Sequence, residues 1–292
     1  MNVKTNAELM EQRVKKQYKY KDMAKDLFLI LVVLLVMISC TDYQCSDKQT
    51  ENKSDLSSSK ELNSLIEKAR WGDGEAFLQL ADCYRDGKGV KQDFIGMLTM
   101  VAQADEYGGI SDMVDYLRSL PDGSDFKLLF DAVENYEKKN VDKTTSMYKQ
   151  LIDKGSPDGY ALQGLIAVEQ GDTLNGVRLI EQAATSGSTF AELLLCIPDW
   201  RAATNPDVEK LAALSDKIPF VNTILAKTYA GFEDEKMKND SLASYYFLKA
   251  DEKACLNKLG ARWLLNYQRS GANMTLSESD IQRLQILAGE IP

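Results

Sequence analysis

The chain has 292 residues, 44% of them apolar and 27% charged, which allows one long domain or two ordinary ones with a sizeable core. It contains no histidine, which excludes Ser-His-Asp and Cys-His nucleophile systems, histidine zinc sites and imidazole acid–base work. The net charge of −9 is uneven: residues 1–26 carry seven Lys/Arg against four acids, residues 27–40 carry none, and the remainder carries 28 bases against 40 acids, a body of −12 that is a poor match for nucleic-acid phosphates.

The first element is an apolar run, Leu27 to Ser39, followed by Cys40. As a helix it would span roughly 20 Å at about 1.5 Å per residue. A bilayer core is about 30 Å thick, so the run is short for a spanning helix and suits the apolar region of a secretory leader, with basic residues ahead of it. Val36-Met37-Ile38-Ser39-Cys40 resembles the lipobox of bacterial lipoproteins, in which a Cys after a small residue is acylated and becomes the mature amino terminus. That resemblance implies a signal peptide over 1–39 (basic region 1–26, apolar region 27–39), lipidation at Cys40, and a lipid-anchored place in the cell envelope, the outer membrane favoured over the inner. An uncleaved single-pass anchor is the alternative, and Met23 is an alternative start. Residues 41–64 are Ser-, Asp-, Lys- and Asn-rich, too polar to offset their ordering entropy, and predict a flexible tether that with Cys40 makes up 40–64.

From residue 65 to 292 the sequence predicts a domain of helical repeats. The clearest unit runs from Ala69 to Asp93. Ala76, Leu80, Ala81 and Tyr84 fall on one helix face, small enough in part for a partner helix to come close. Gly87 ends that helix, Gly89 permits a tight reversal, and Asp93 caps the next helix. The pattern Ala69-x-x-Gly72, Ala76, Leu80-Ala81, Tyr84, Gly87-x-Gly89-Val90-x-x-Asp93 resembles the Sel1-like repeat, a relative of the tetratricopeptide repeat. Asp142, Asp172 and Asp240 also precede amphipathic stretches. Small residues recur four and nine positions from a unit opening: Ala76 and Ala81, Gly159 and Gly164, Ala191 and Cys196, Cys255 and Gly260, with Asp251 standing where the last unit would open on Gly. The long interval between Gly108 and Gly155, broken by Pro121-Asp122-Gly123, predicts an additional helix. Pro198 ends one helix and Asn205-Pro206 starts another. Ser277 and Asp280 approximate a capping box before a closing helix at 278–288. The fold this implies is all-α, a superhelical solenoid of Sel1-like or tetratricopeptide-like helix pairs.

Chemistry-bearing residues are sparse. Cys45, Cys83, Cys196 and Cys255 can pair three ways, and small buried thiols are the preferred reading. Without CxxC or His, neither a metal site nor a cofactor is expected. The run from Glu233 to Asp240 lacks cation-loop spacing and reads as a solvated turn. Trp71, Phe77, Tyr107, Tyr160 and Trp200 stand off the small-residue face and are the candidate anchors for a partner. The repeat resemblance implies a long concave surface suited to another protein or an extended peptide. The expected function is a non-enzymatic, membrane-tethered scaffold. An envelope glycan- or peptide-binding protein or carboxylate-dependent hydrolase, and a structural subunit of an outer-membrane assembly, are the alternatives.

Overall fold

A computed structural model describes residues 59–196, 207–232, 235–271, 274 and 276–291. The predicted leader, Cys40, Cys45, Pro198, Trp200 and Asn205-Pro206 lie outside these residues. In chain order the helices are α1 (Ser59–Arg70), α2 (Gly74–Asp86), α3 (Phe94–Glu106), α4 (Met113–Arg118), α5 (Asp125–Glu137), α6 (Val141–Asp153), α7 (Pro157–Glu169), α8 (Thr173–Thr185), α9 (Thr189–Cys196), α10 (Val208–Leu214), α11 (Phe220–Tyr229), α12 (Asp240–Glu252), α13 (Lys258–Arg269) and α14 (Glu278–Leu287), with a 3-10 turn at Glu235–Met237. Among the described residues there is no strand. The architecture is all-α, built of helical hairpins packed neighbour on neighbour. No helix among the described residues is long and apolar enough to cross a membrane.

The predicted first unit forms as its residues dictate. Asp73 caps α2 by accepting from Glu75 N (3.0 Å) and Ala76 N (3.1 Å). Gly87 closes α2 in the left-handed conformation (φ 70°) with its N–H on Cys83 O. Asp93 caps α3 through Ile95 N. Tyr84 then lays its ring against Gly96 of α3, where a Cβ would fall 2.6 Å from it. The recurring small residues Ala76, Ala81, Gly159, Gly164, Ala191, Cys196, Cys255 and Gly260 are all buried, so the stripe marks where helices come closest.

Three expectations shift. Helix α1 starts at Ser59, inside the stretch predicted as tether up to residue 64, because Leu62, Leu65, Ile66 and Ala69 already share a helix face. Asp142 is not a cap: Asn140 holds that position and Asp142 lies in the first turn of α6. Asp240 likewise opens α12 behind its cap Asn239, which accepts from Leu242 N. The additional helix predicted between Gly108 and Gly155 is present: that interval holds α4, α5 and α6 where Gly72 to Gly108 holds α2 and α3, with α4 and α5 split at the predicted Pro121-Gly123 turn.

The contacts group the chain into two compact units. One contains α5 to α9, each helix packed on the next. The other joins α1–α4 to α10–α14, bringing together stretches more than a hundred residues apart in sequence. Its centre is α3, eleven of whose thirteen residues are buried. Such an all-round apolar helix needs partners on every side. It has them in α2 and α11, while α11 also touches α13.

Candidate interaction surface

Of the predicted anchor residues, Trp71, Phe77 and Tyr107 lie in the second unit and Tyr160 in the first. Phe77 is 1% exposed and lies in the core of the second unit. Tyr107 stacks on it, with ring centroids 5.5 Å apart and planes at 14°. The Tyr107 hydroxyl donates to Leu256 O (3.3 Å), and Lys258 Nζ sits 5.4 Å from the ring centroid. Burial pushes the Tyr107 phenol well above its ordinary value. Phe77 and Tyr107 are therefore packing residues, not exposed anchors. Tyr107 ends α3, and its ring fills the gap between the first hairpin and the start of α13. Trp71 is half-buried and donates from Nε1 to Glu67 Oε1 (3.3 Å). Tyr160 is half-buried on α7.

An aromatic surface on α12 was not singled out from sequence. Leu242, Tyr245, Tyr246 and Lys249 are spaced i, i+3, i+4, i+7, beside the buried stripe Ala243, Phe247, Ala250. Tyr246 stacks on Tyr229 of α11 (5.8 Å, 7°) and meets Tyr245 edge-on (5.0 Å, 73°). Tyr245 remains 54% exposed, and Lys249 Nζ lies 5.8 Å from its ring centroid while pairing with Asp216 (2.7 Å). The spacing was available in the sequence. What it lacked was the information that Phe247, one residue on, takes the inward place against Trp263.

The titratable groups of this unit serve packing. Cys83 and Cys255 of this unit, and Cys196 of the other, are buried thiols, in line with the preferred sequence reading. Burial pushes the Cys255 thiol up to about 12, so it carries no thiolate at neutral pH and is a poor nucleophile. It lines a narrow crevice with Tyr84, Gly96, Met100 and Phe220. Glu106 accepts from Lys258 N (3.0 Å) at the start of α13, and Lys258 Nζ reaches Glu106 O (2.7 Å). Burial outweighs these contacts and the nearby Lys227 and Arg262, and raises the Glu106 carboxyl above its ordinary value. Its Oε2 is buried without a hydrogen-bond partner. Among the described residues no group of three or more His, Cys, Asp or Glu side chains is placed to hold a metal.

Stacked hairpins with buried small residues at their crossings, and aromatics divided between cores and outer helix faces, define a helical-repeat protein. No family model matches the chain, and no curated protein matches it. Among solved structures the chain is similar to the crystal structure of a Sel1 repeat protein from Oxalobacter formigenes. The two share 12% identity, with 79% of this chain and 98% of that chain covered and a TM-score of 0.37.

Proposed function

We propose that this protein is a Sel1-like scaffold of the bacterial cell envelope, tethered by lipid on Cys40, that holds another protein or peptide on its exposed helix faces without catalysis. The observation that carries the reading is how the described chain is used. From Ser59 onward the described residues are taken up by helix hairpins, with acids and amides spent on caps and ion pairs and the described thiols buried. The polar stretch 41–58 and the apolar run before Cys40 supply the anchor in this reading.

Two measurements test it. Cells fed labelled palmitate incorporate label into the wild-type protein and not into Cys40→Ala; equal membrane attachment and unchanged size in that variant reject the lipid anchor. In-cell crosslinking followed by mass spectrometry recovers a defined partner linked to exposed helix residues; a protein that crosslinks only to itself or to nothing rejects the scaffold.

A further inference from the structure

The turn between α12 and α13 is held from outside. Ala254 lies in it at φ 55° and is 3% exposed. Gly155 and Gly187 sit in the same place, two residues past the ends of α6 and α8, at φ 80° and 95°. The closing bonds match: Cys255 N to Ala250 O (2.8 Å), Ser156 N to Leu151 O (2.9 Å) and Ser188 N to Ala183 O (3.0 Å). Ala254, not Asp251, therefore stands where the earlier units have glycine. An alanine Cβ in the left-handed region crowds the following carbonyl oxygen, and such strain persists only where the surroundings impose it. Here they do. Before the turn, Asp251 of α12 accepts from Arg283 Nη2 of α14 (2.7 Å) and from Arg70 Nη2 of α1 (3.1 Å). Beyond it, Thr223 Oγ1 of α11 donates to Cys255 O (2.8 Å), the Tyr107 hydroxyl donates to Leu256 O (3.3 Å), and Glu106 Oε1 of α3 accepts from Lys258 N (3.0 Å). The two stretches of the unit, before residue 119 and after 208, are fastened to each other at this turn.

One member of this clasp fits better without its charge. Glu106 Oε1 has only to accept, which a neutral carboxyl does as a carboxylate does. Oε2 is buried with no hydrogen-bond donor, and an ionised oxygen left so costs more than a neutral one. The charged groups that act on it are Lys258 and Arg262 of α13 and Lys227 of α11, with Asp105 and Tyr107 flanking it in the chain. Lys258 Nζ turns to Glu106 O and Arg262 Nε to Ala288 O, and neither bonds the carboxyl. We propose that the α12–α13 turn is a pH-operated clasp between the two stretches of the unit, looser when Glu106 is ionised and tighter when Glu106 takes up a proton. Protonation removes the charge that Oε2 cannot satisfy and keeps the bond to Lys258 N. The strain at Ala254 favours release of the turn whenever that bond weakens. Burial holds the folded carboxyl above its ordinary value of 4.5. The clasp therefore tightens as pH falls through the folded value, and the gain is complete below 4.5.

Hydrogen exchange of the full chain, corrected for its intrinsic pH dependence, reads this at the Cys255 and Lys258 amides. From about pH 7.5 to about pH 5 their protection is expected to rise about fivefold or more, while that of α7 and α8 in the other unit stays level. Protection of the two amides that is flat or falls in the wild type overturns the clasp, whether or not any variant folds. An equal rise in α7 and α8 overturns it too, as a general effect of charge. In Glu106→Gln the rise is expected to vanish, with protection at neutral pH already at the acid level; a folded variant that keeps the rise removes Glu106 as its cause. Ala254→Gly is expected to raise protection of both amides about threefold at every pH and to leave the rise in place. Absence of that gain overturns the strained turn.

Discussion

The sharpest test of the packing is Gly164→Ala, because two effects oppose each other there. Gly164 and Gly176 lie inside α7 and α8. By helix propensity alone, Gly→Ala in a helix interior stabilises by about 1 kcal/mol. The structure predicts the reverse. A Cβ at Gly164 would sit 2.6 Å from the Gly176 carbonyl oxygen and 2.7 Å from Ile180 Cγ1; a Cβ at Gly176 would sit 2.6 Å from the Gly164 carbonyl oxygen. A backbone oxygen cannot swing aside as a side-chain tip can, so the helices must separate, and such overpacking costs about 1–3 kcal/mol. The net expectation is a loss of about 1 kcal/mol, within a range of roughly zero to 2. Gly164→Ala with Gly176→Ala should lose less than the sum of the singles, because one separation relieves both clashes. Urea unfolding followed by helical circular dichroism gives the stabilities. Hydrogen exchange of α7 and α8 assigns the loss to this hairpin, which matters because two units need not unfold together. A Gly164→Ala protein more stable than the wild type by about the full propensity gain would refute the close crossing.

Phe77→Ala should cost about 3–5 kcal/mol by leaving a cavity under Tyr107, whereas Trp71→Ala should cost about 1 kcal/mol; comparable losses in urea unfolding would contradict the assignment of Phe77 to the core. Glu106→Gln should stabilise at neutral pH. The wild-type carboxyl titrates higher folded than unfolded, so its charged form is a deficit that is fully present above the folded pKa, shrinks as pH falls through it, and is gone below the unfolded value near 4.5. The advantage of the Gln variant in urea unfolding should therefore disappear by about pH 4, and an advantage that grows on acidification would reverse the sign of the argument.

The caps show how much was legible. Asp93, Asp172 and the Ser277–Asp280 box act where the sequence places them, because a cap bonds amides two or three residues away and needs no knowledge of the rest of the chain. Asp240 lies one residue inside its helix because Asn239 takes the cap with equal chemistry, whereas Asp142 lies in the first turn behind Asn140, whose side chain makes no capping bond. The binding candidates fared worse for Phe77 and Tyr107. Standing off the small-residue stripe looked like exposure, yet the first hairpin is covered on that side as well, by helices from the far end of the unit.

The sequence by itself determined the helices, their ends and the places where they come close, since each depends on residues within about two turns of one another. Only the tertiary structure decided that α1–α3 pack against α11–α14, that Asp251 serves two arginines from different ends of the chain, and that Tyr245 faces outward while Phe247 faces in. Those outcomes are set by contacts between residues up to about two hundred positions apart. Helical periodicity carries no record of which hairpin will close on which, because every amphipathic face presents a similar apolar stripe and the choice falls to size, charge and shape at the meeting point.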